Sequence, residues 1–572
     1  MSTYLPSLHN IPASRETTDV FRGYNHTPRP GDGEWYDMWN LSSAVFPALG
    51  PRRPRGMGPK LQNPRGLFAH EKLCWVDGTE FFYDGVKRGD VEDSRKQFAA
   101  MGAYVLIWPD KMCYNTGTEA FFSLEAASRT SGTVSFTLCR ADGSAYEDYA
   151  AGDKAPGEPE DGQLWVDTSQ TPNVLKRYSG QRMMWVSMPT TYVKISAEGI
   201  GAGFKRDDGV TITGCVDESL RGDAILMGAE DGFILVTGTL QAAYTQEETV
   251  TVERKAPDMD FLTECNNRVW GCSSAAHELY ACKLGDPTNW RCYAGLSTDS
   301  YAVTVGSPGD FTGACTHLGY VMFFKEQIIH KVYGYKPSNF EVTDAHLRGV
   351  EKGSERSLAI VNETLFYKCA GGVCAYSAAL PVDISMALGG ERYRFAAAGA
   401  FEDLYYISMK DSGGMPHLFV FDTARGLWHH EDDTEALDFA RADGTLYCLR
   451  GDGQLFTVAA EAGESALEIE PGEKIHWAAE TGDIGLSSPD HKYISRLQLR
   501  LEAERGARVR VLARYDHQGP FEEIARVNPT GKRSVTVPVI PRRCETMRLR
   551  LEGYGGFRLH ALTKTMETGS DV

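Results

Sequence analysis

At 572 residues the chain is several times longer than one compact core requires, so two to four domains are expected unless a repeat architecture extends one of them. A net charge of −18 argues against a broad interface with double-stranded nucleic acid, where affinity comes from neutralising phosphates. No uninterrupted apolar stretch of about 18 residues occurs, and the opening MSTYLPSLHN lacks a charged region followed by an apolar run, so neither a membrane span nor a signal peptide is expected.

The 59 Gly and 26 Pro, with 26 Tyr, 25 Phe and 10 Trp, suit many short strands joined by turns. Stretches of helical period are scarce. The 13 cysteines are scattered through strand-like runs (Cys74, Cys139, Cys265, Cys282, Cys448) and read as buried free thiols. Cys369 and Cys374 flank a Gly-Gly turn without a second pair, so the spacing of a structural zinc site is missing.

Residues 1–65 contain Pro28, Pro30, Pro47, Pro51, Pro54, Pro59 and Pro64, isolated aromatics (Trp35, Tyr36, Trp39, Phe46) and a basic cluster of Arg52, Arg53, Arg55 and Lys60. Such a segment can hardly build a core of its own and reads as an extended N-terminal arm laid on another surface. From residue 66 short strand pairs begin. Leu73-Cys74-Trp75-Val76 faces Phe81-Phe82-Tyr83 across Asp77-Gly78, and Thr364 to Tyr367 faces Val373 to Tyr376 across Gly371-Gly372. With Trp270, Val321, Phe366, Tyr405 and Leu446 as markers the unit recurs at roughly 40 to 50 residues, the length of a four-stranded propeller blade. A sandwich or barrel also supplies many short strands. The expectation is an all-β chain with a β-propeller over 66–117 and 226–466.

Between 118 and 225 the pattern changes to a polar loop (Ala151 to Gly162) followed by Leu164-Trp165-Val166 and Met184-Trp185-Val186, which reads as an inserted small β domain. From 467 onward Leu497, Leu499 and Leu501 alternate with arginine and glutamine. Val509, Val511 and Ala513 alternate with Arg508, Arg510 and Arg514, and Met547, Leu549 and Leu551 alternate with Arg548 and Arg550. One apolar and one arginine-rich face predict a C-terminal β-sandwich over 467–572. The arginine face is either solvated or set against an acidic neighbouring subunit.

No P-loop, dinucleotide-binding glycine motif, zincin motif or G-x-S-x-G elbow occurs, and the S-x-D-x-G-x-T-W turn of sialidase-type propellers is missing. Trp428-His429-His430-Glu431-Asp432-Asp433 invites a metal, but adjacent strand residues point to opposite faces, so the two histidines could not readily share an ion. A solvated turn at a blade edge is the plainer reading. Three Arg-Gly-Asp tripeptides (Arg88, Arg221 and Arg450 onward) read as turn sequences. No catalytic, cofactor-binding or metal-ligating residue is assigned, no cofactor is expected, and the chain is read as not an enzyme.

Several strings resemble virion proteins of tailed bacteriophages, in particular propeller-based tail hub or nozzle proteins. They are Gly33-Glu34-Trp35-Tyr36-Asp37-Met38-Trp39-Asn40-Leu41-Ser42 with Pro51-Arg52-Arg53-Pro54-Arg55, Asn267-Arg268-Val269-Trp270 leading to Gly285-Asp286-Pro287-Thr288-Asn289-Trp290, and Val420-Phe421-Asp422-Thr423 leading to Gly426-Leu427-Trp428. The resemblance implies a structural component of a bacteriophage tail, a hub, nozzle or adaptor that forms a homo-oligomeric ring. It implies other virion proteins as partners, DNA passing through without specific binding, and a place in the virion tail after synthesis in the host cytoplasm. The alternative is a host-surface or glycan-binding tail protein whose inserted domain, with Trp165 and Trp185, meets a receptor.

Overall fold

A computed structural model describes residues 13–460, 467–487, 489–527 and 531–568. The chain is all-β among these residues, with many small sheets and only single 3₁₀ turns for helix. No helix is long and apolar enough to cross a membrane. Two compact units divide it, one of residues 1–95, 324–329 and 345–572, the other of 96–323 and 330–344.

In the first unit, three antiparallel four-stranded meanders run over residues 64–90, 359–383 and 394–432. A fourth sheet is built from both ends of the chain. Ala436–Ala442, Thr445–Arg450 and Gln454–Thr457 form a meander, to which Gly56–Lys60 adds as the next strand, followed by Glu468–Ile469. The first strands of these sheets, Ala359–Val361, Arg394–Phe401, Ala436–Ala442 and Pro64–His70, pack side by side in that order. Small residues permit the approach, since a Cβ on Gly399 would fall 2.7 Å from that of Phe439. Leu61, Leu67, Ala440, Leu449 and Leu455 fill the seam beside the sheet built from both ends.

Two further sheets of this unit share one apolar core. Ala13–Thr18, Phe557–Thr568, Lys492–Ala503 and Gly531–Val537 make one, and Trp35–Trp39, His476–Thr481, Met547–Tyr554, Arg508–Tyr515 and Gln518–Val527 the other. Leu497, Leu499 and Leu501 from the first and Val509, Val511, Leu549 and Leu551 from the second are buried in a common cluster, while Arg496, Arg500 and Arg508 are exposed. The period of two in the sequence is thus the period of burial.

In the second unit, meanders over 97–123, 261–304 and 313–345 (of which residues 324–329 and 345 are counted with the first unit) follow one another. Trp108, Met259, Val269 and Trp290 pack between the first two, and Trp270, Leu279, Val321 and Phe323 between the next two. The remaining strands form an eight-stranded sheet, from Ala126–Arg129 to Thr251–Arg254, and a four-stranded sheet of Ala150–Gly152, Leu164–Asp167, Val174–Ser179 and Met184–Ser187.

Four expectations about the domains change. The N-terminal arm is not laid on a foreign surface over its described residues: Ala13–Thr18 pairs with Phe557–Thr568, Trp35–Trp39 with His476–Thr481 and Gly56–Lys60 with Gln454–Thr457. The segment lacks a core of its own because Phe21, Tyr24 and Trp35 are buried in the core that the rest of the unit provides; residues 1–12 lie outside the described residues. The inserted sheet runs to Arg254, past the expected end at 225, since Phe233–Thr237 pairs with Tyr192–Ser196 and Thr251–Arg254 with Ala126–Arg129. Phe121–Ser123, expected inside the insertion, instead completes the meander that begins at Gln97. Glu468–Ile469, expected in the terminal module, pairs with Gly56–Lys60.

Candidate functional site

The string Trp428 to Asp433 was the most conspicuous group of ligand-type side chains in the sequence. It is not a solvated turn. Leu427–Asp432 is the last strand of the 394–432 sheet, and His429, His430, Glu431 and Asp432 are all buried. The N-terminal segment covers it. Tyr24 N–H donates to the Trp428 carbonyl at 2.6 Å, and Asn40 N–H to the Glu431 carbonyl at 2.6 Å. Gly23 (φ +79°) is required there, because a Cβ would lie 2.3 Å from the Trp428 oxygen.

The four side chains have separate roles. His430 faces Tyr24, Phe419 and Trp39, with Nδ1 2.9 Å from the Met38 carbonyl. Glu431 and Asp432 both accept from Arg55, at 2.8 Å and 2.6 Å, and the guanidinium also lies over the Phe456 ring. Burial opposes ionisation of Asp432, but the charge and hydrogen bond of Arg55 outweigh it and hold the carboxyl at about 2. Burial prevails at Glu431, whose pKa is raised. The rest of the basic cluster is likewise matched within the chain: Arg52 with Glu470 (2.7 Å), Arg53 with Glu402 (3.2 Å) and Lys60 with Asp452 (3.9 Å). Among the described residues no group of three or more His, Cys, Asp or Glu is placed to hold a metal ion.

His429 is the exception to this pairing. It is 2% exposed, neither ring nitrogen has a hydrogen-bond partner, and burial lowers its pKa to about 4. His429 is among the residues that line a solvent-open cavity of about 230 Å³ between residues 42–53 and the 394–432 sheet, although its two ring nitrogens are themselves buried. Asp422 is fully buried on the same wall, accepting from Ser43 Oγ at 2.5 Å and Arg425 at 2.7 Å. These two bonds, with the Arg425 charge, keep its carboxyl below the usual range against the opposing effect of burial. Arg53 and Glu402, each about half exposed, stand among its other lining groups. Leu404, Val420 and Phe401 supply apolar wall.

The arginine alternation of the terminal sheets divides into two sets. Arg510 is held by Glu523 (2.7 Å) and Glu552 (2.6 Å), and Arg548 by Asp483 (2.7 Å) and Glu480 (3.0 Å) beneath the Tyr36 ring. Both sets of contacts lie within the chain, but Arg548 is 11% exposed and buried with its partners, whereas Arg510 is 41% exposed and stays open to solvent. In the second unit Trp165 and Trp185 do come together, ring centroids 5.4 Å apart, and the Tyr178 ring lies 5.4 Å from that of Trp185, next in sequence to exposed Met183 and Met184. Arg450 and Asp452 of one Arg-Gly-Asp string bind each other at 2.6 Å, and Arg88 to Asp90 lie within a strand. The Cys374 thiol donates to Cys369 Sγ at 2.9 Å, and that bond lowers the Cys369 pKa while raising that of Cys374.

No family model and no curated protein matches the chain. Among solved structures, BamB from Moraxella catarrhalis is 11% identical, covering 64% of this chain and 95% of its own, with a TM-score of 0.26. Hsv2 from Kluyveromyces lactis is 12% identical over 52% of this chain and 73% of its own, with a TM-score of 0.25. An exo-β-1,3-galactanase from Phanerochaete chrysosporium is 8% identical over 53% and 94%, with a TM-score of 0.22. These scores are too low to support an argument about function.

Proposed function

We propose that the chain is a non-catalytic structural component of a bacteriophage tail, a hub, nozzle or adaptor ring around the DNA path, in which the blade-like meanders close into a β-propeller and the two terminal sheets form a β-sandwich. The observation that carries this reading is the sheet made from Gly56–Lys60 and Ala436–Thr457. A propeller needs its first and last blades joined, and a strand from near the start of the chain completing the last sheet is the device that does so. In this reading that sheet and the six four-stranded meanders among the described residues are the blades. Parts of the strings that resemble tail proteins lie on the Trp35–Trp39 strand and on strands Arg268–Ser273 and Pro416–Asp422 of the meanders. A strongly acidic chain suits a conduit that a polyanion must slide through without sticking.

Electron microscopy and sedimentation of the purified chain test the reading. A symmetric ring is expected, formed from a propeller-shaped subunit. A chain that stays monomeric at every concentration and salt, and does not join tail particles when mixed with them, is not such a component. A second reading, a host-surface binder, is favoured by the Trp165, Trp185 and Tyr178 cluster beside exposed Met183 and Met184; it predicts retention on host cells that is lost in Trp185→Ala.

A further inference from the structure

We infer that the outer face of the terminal sheet of Ala13–Thr18, Phe557–Thr568, Lys492–Ala503 and Gly531–Val537 docks on the acidic stretch 147–161 of a second copy of the chain. Strand register builds that face. Arg15, Thr565 and Arg496 stand in one row across three neighbouring strands, Thr17, Thr563, Gln498 and Thr536 in the next across all four, and Ala561, Arg500 and Ser534 in the one after. Leu497, Leu499 and Leu501 turn the other way into the core, so the three arginines stand exposed among short hydroxyl and amide side chains. Arg15 donates to Gln498 at 3.2 Å, and among the described residues none of the three has a carboxylate partner. The carboxylates on this side are engaged elsewhere: Glu567 accepts from Tyr493 at 2.6 Å, and Glu502 lies 3.3 Å from His560 and stands opposite Arg558.

The other terminal sheet provides the contrast, since its Arg548 and Arg510 are held by acids of their own chain. A guanidinium left open is weakly hydrated and can grip a carboxylate through two parallel N–H bonds. With a net charge of −18, the chain has carboxylates in excess, and the complement of the arginine face lies in the second unit. Glu147, Asp148, Asp153, Glu158 and Glu160 flank the edge strand Ala150–Gly152 and are all exposed. Among the described residues none of them has an ion-pair partner, and Lys154 is the one base in the stretch. Two different patches meet in this contact, so it is head-to-tail and propagates into a ring where its rotation closes; for that closure alone the inference rests on the tail-ring reading above. Strands about 4.8 Å apart make a face only about 15–20 Å across, at the small end of specific interfaces, so charge supplies most of the attraction.

The test uses the full chain in sedimentation velocity, alone and mixed. One variant reverses the face (Arg15→Glu, Arg496→Glu, Arg500→Glu) and another the stretch (Glu147→Lys, Asp148→Lys, Glu158→Lys, Glu160→Lys); every position is exposed, so the melting temperatures should stay those of the parent. Self-association of the parent is expected to weaken at least about tenfold between about 0.05 M and about 0.5 M salt, and each variant alone should lose it by a similar factor. A mixture of the two variants should recover it, because each reversed patch meets its new opposite on the other. Where one variant does not fold, the salt series and the other variant decide. A parent that stays monomeric, variants that associate as the parent does, or a mixture that does not recover would each overturn the docking. Retention of duplex DNA by the parent that is lost in the face variant would also overturn it, assigning the arginines to phosphate. A ring that persists through both reversals, or a monomer that joins tail particles, leaves the tail reading standing without the docking. Recovered association in assemblies that are not rings leaves the docking standing without the tail reading.

Discussion

Replacing Arg55 with methionine tests whether the N-terminal segment is part of the fold. The guanidinium is 9% exposed, its partners Glu431 and Asp432 are 4% and 12% exposed, and the two contacts are 2.8 Å and 2.6 Å. Methionine keeps most of the packing over Phe456 but leaves two adjacent carboxylates buried without that cation. Removing one partner from a buried ion pair costs about 3–5 kcal/mol, and that loss is expected in the denaturant-induced unfolding of Arg55→Met at pH 7, followed by tryptophan fluorescence. The pH dependence gives an independent check. Asp432 in the native protein is held at about 2 instead of 3.8, so its contribution is present above its ordinary pKa and is lost as pH falls through about 2. A shift of that size is worth about 2 kcal/mol. In the variant the depression is gone, so the difference between the two proteins should narrow as pH falls from about 5 towards 2. A triple variant, Arg55→Met with Glu431→Gln and Asp432→Asn, should recover most of the loss, because no uncompensated charge remains. A loss below about 1 kcal/mol for Arg55→Met at pH 7, or a difference independent of pH, would refute the reasoning.

Deleting residues 1–60 removes strands from three sheets and should lower the first thermal transition markedly, with faster proteolysis of 394–457; an unchanged melt would restore the segment to a dispensable arm. His429 and His430 are both held at about 4 by burial, below their unfolded value of 6.5. The stability they contribute is therefore complete above about pH 6.5 and declines as pH falls towards 4, by about 3 kcal/mol for each, and a denaturation series should show a smaller decline in His430→Gln. Arg548→Gln should cost about 3 kcal/mol, since its side chain is 11% exposed and binds Glu480 and Asp483. Arg510→Gln, at 41% exposed, should cost under about 1 kcal/mol, and equal losses in the two variants would contradict the division of the face.

What could be read from the sequence was local. Leu73 to Val76 and Phe81 to Tyr83 alternate around Asp77-Gly78, and Cys74 pairs with Tyr83 and Val76 with Phe81 as that alternation requires. Phe366 to Ala375 follows the same rule across Gly371-Gly372. The unreadable part was long-range. Nothing in Gly56-Met57 announces that it will pair with Phe456 and Thr457, and the prolines around it imitate a linker. Its aromatic residues were the available signal, because Trp35 and Tyr24 in a solvated arm would have no reason to be there. The insertion boundary failed similarly: Ile234-Leu235-Val236 is an ordinary apolar strand, and its pairing with Val193, Lys194 and Ile195 is a property of the neighbour.

The candidate site shows the same limit in its charges. Alternation gave the arginines of 508–514 and 548–550 their common side, but their partners sit on adjacent strands, and only the register that sets Arg510 opposite Glu552 brings them together. At His429 the strand rule sent its ring to the opposite face from that of His430, yet it could not say that residues 42–53 would cover the His429 side and Tyr24, Met38 and Trp39 the His430 side. That cover belongs to the segment that supplies Gly56–Lys60 to the last blade and Arg55 to its buried carboxylates. The cavity therefore cannot form before the chain has paired residues some four hundred positions apart, which makes its walls among the most non-local contacts of the fold and so late to form. Refolding followed at Trp35 and at a fluorophore placed beside Ala44 should report the same slow step, whereas a cavity formed by local structure alone would appear ahead of it.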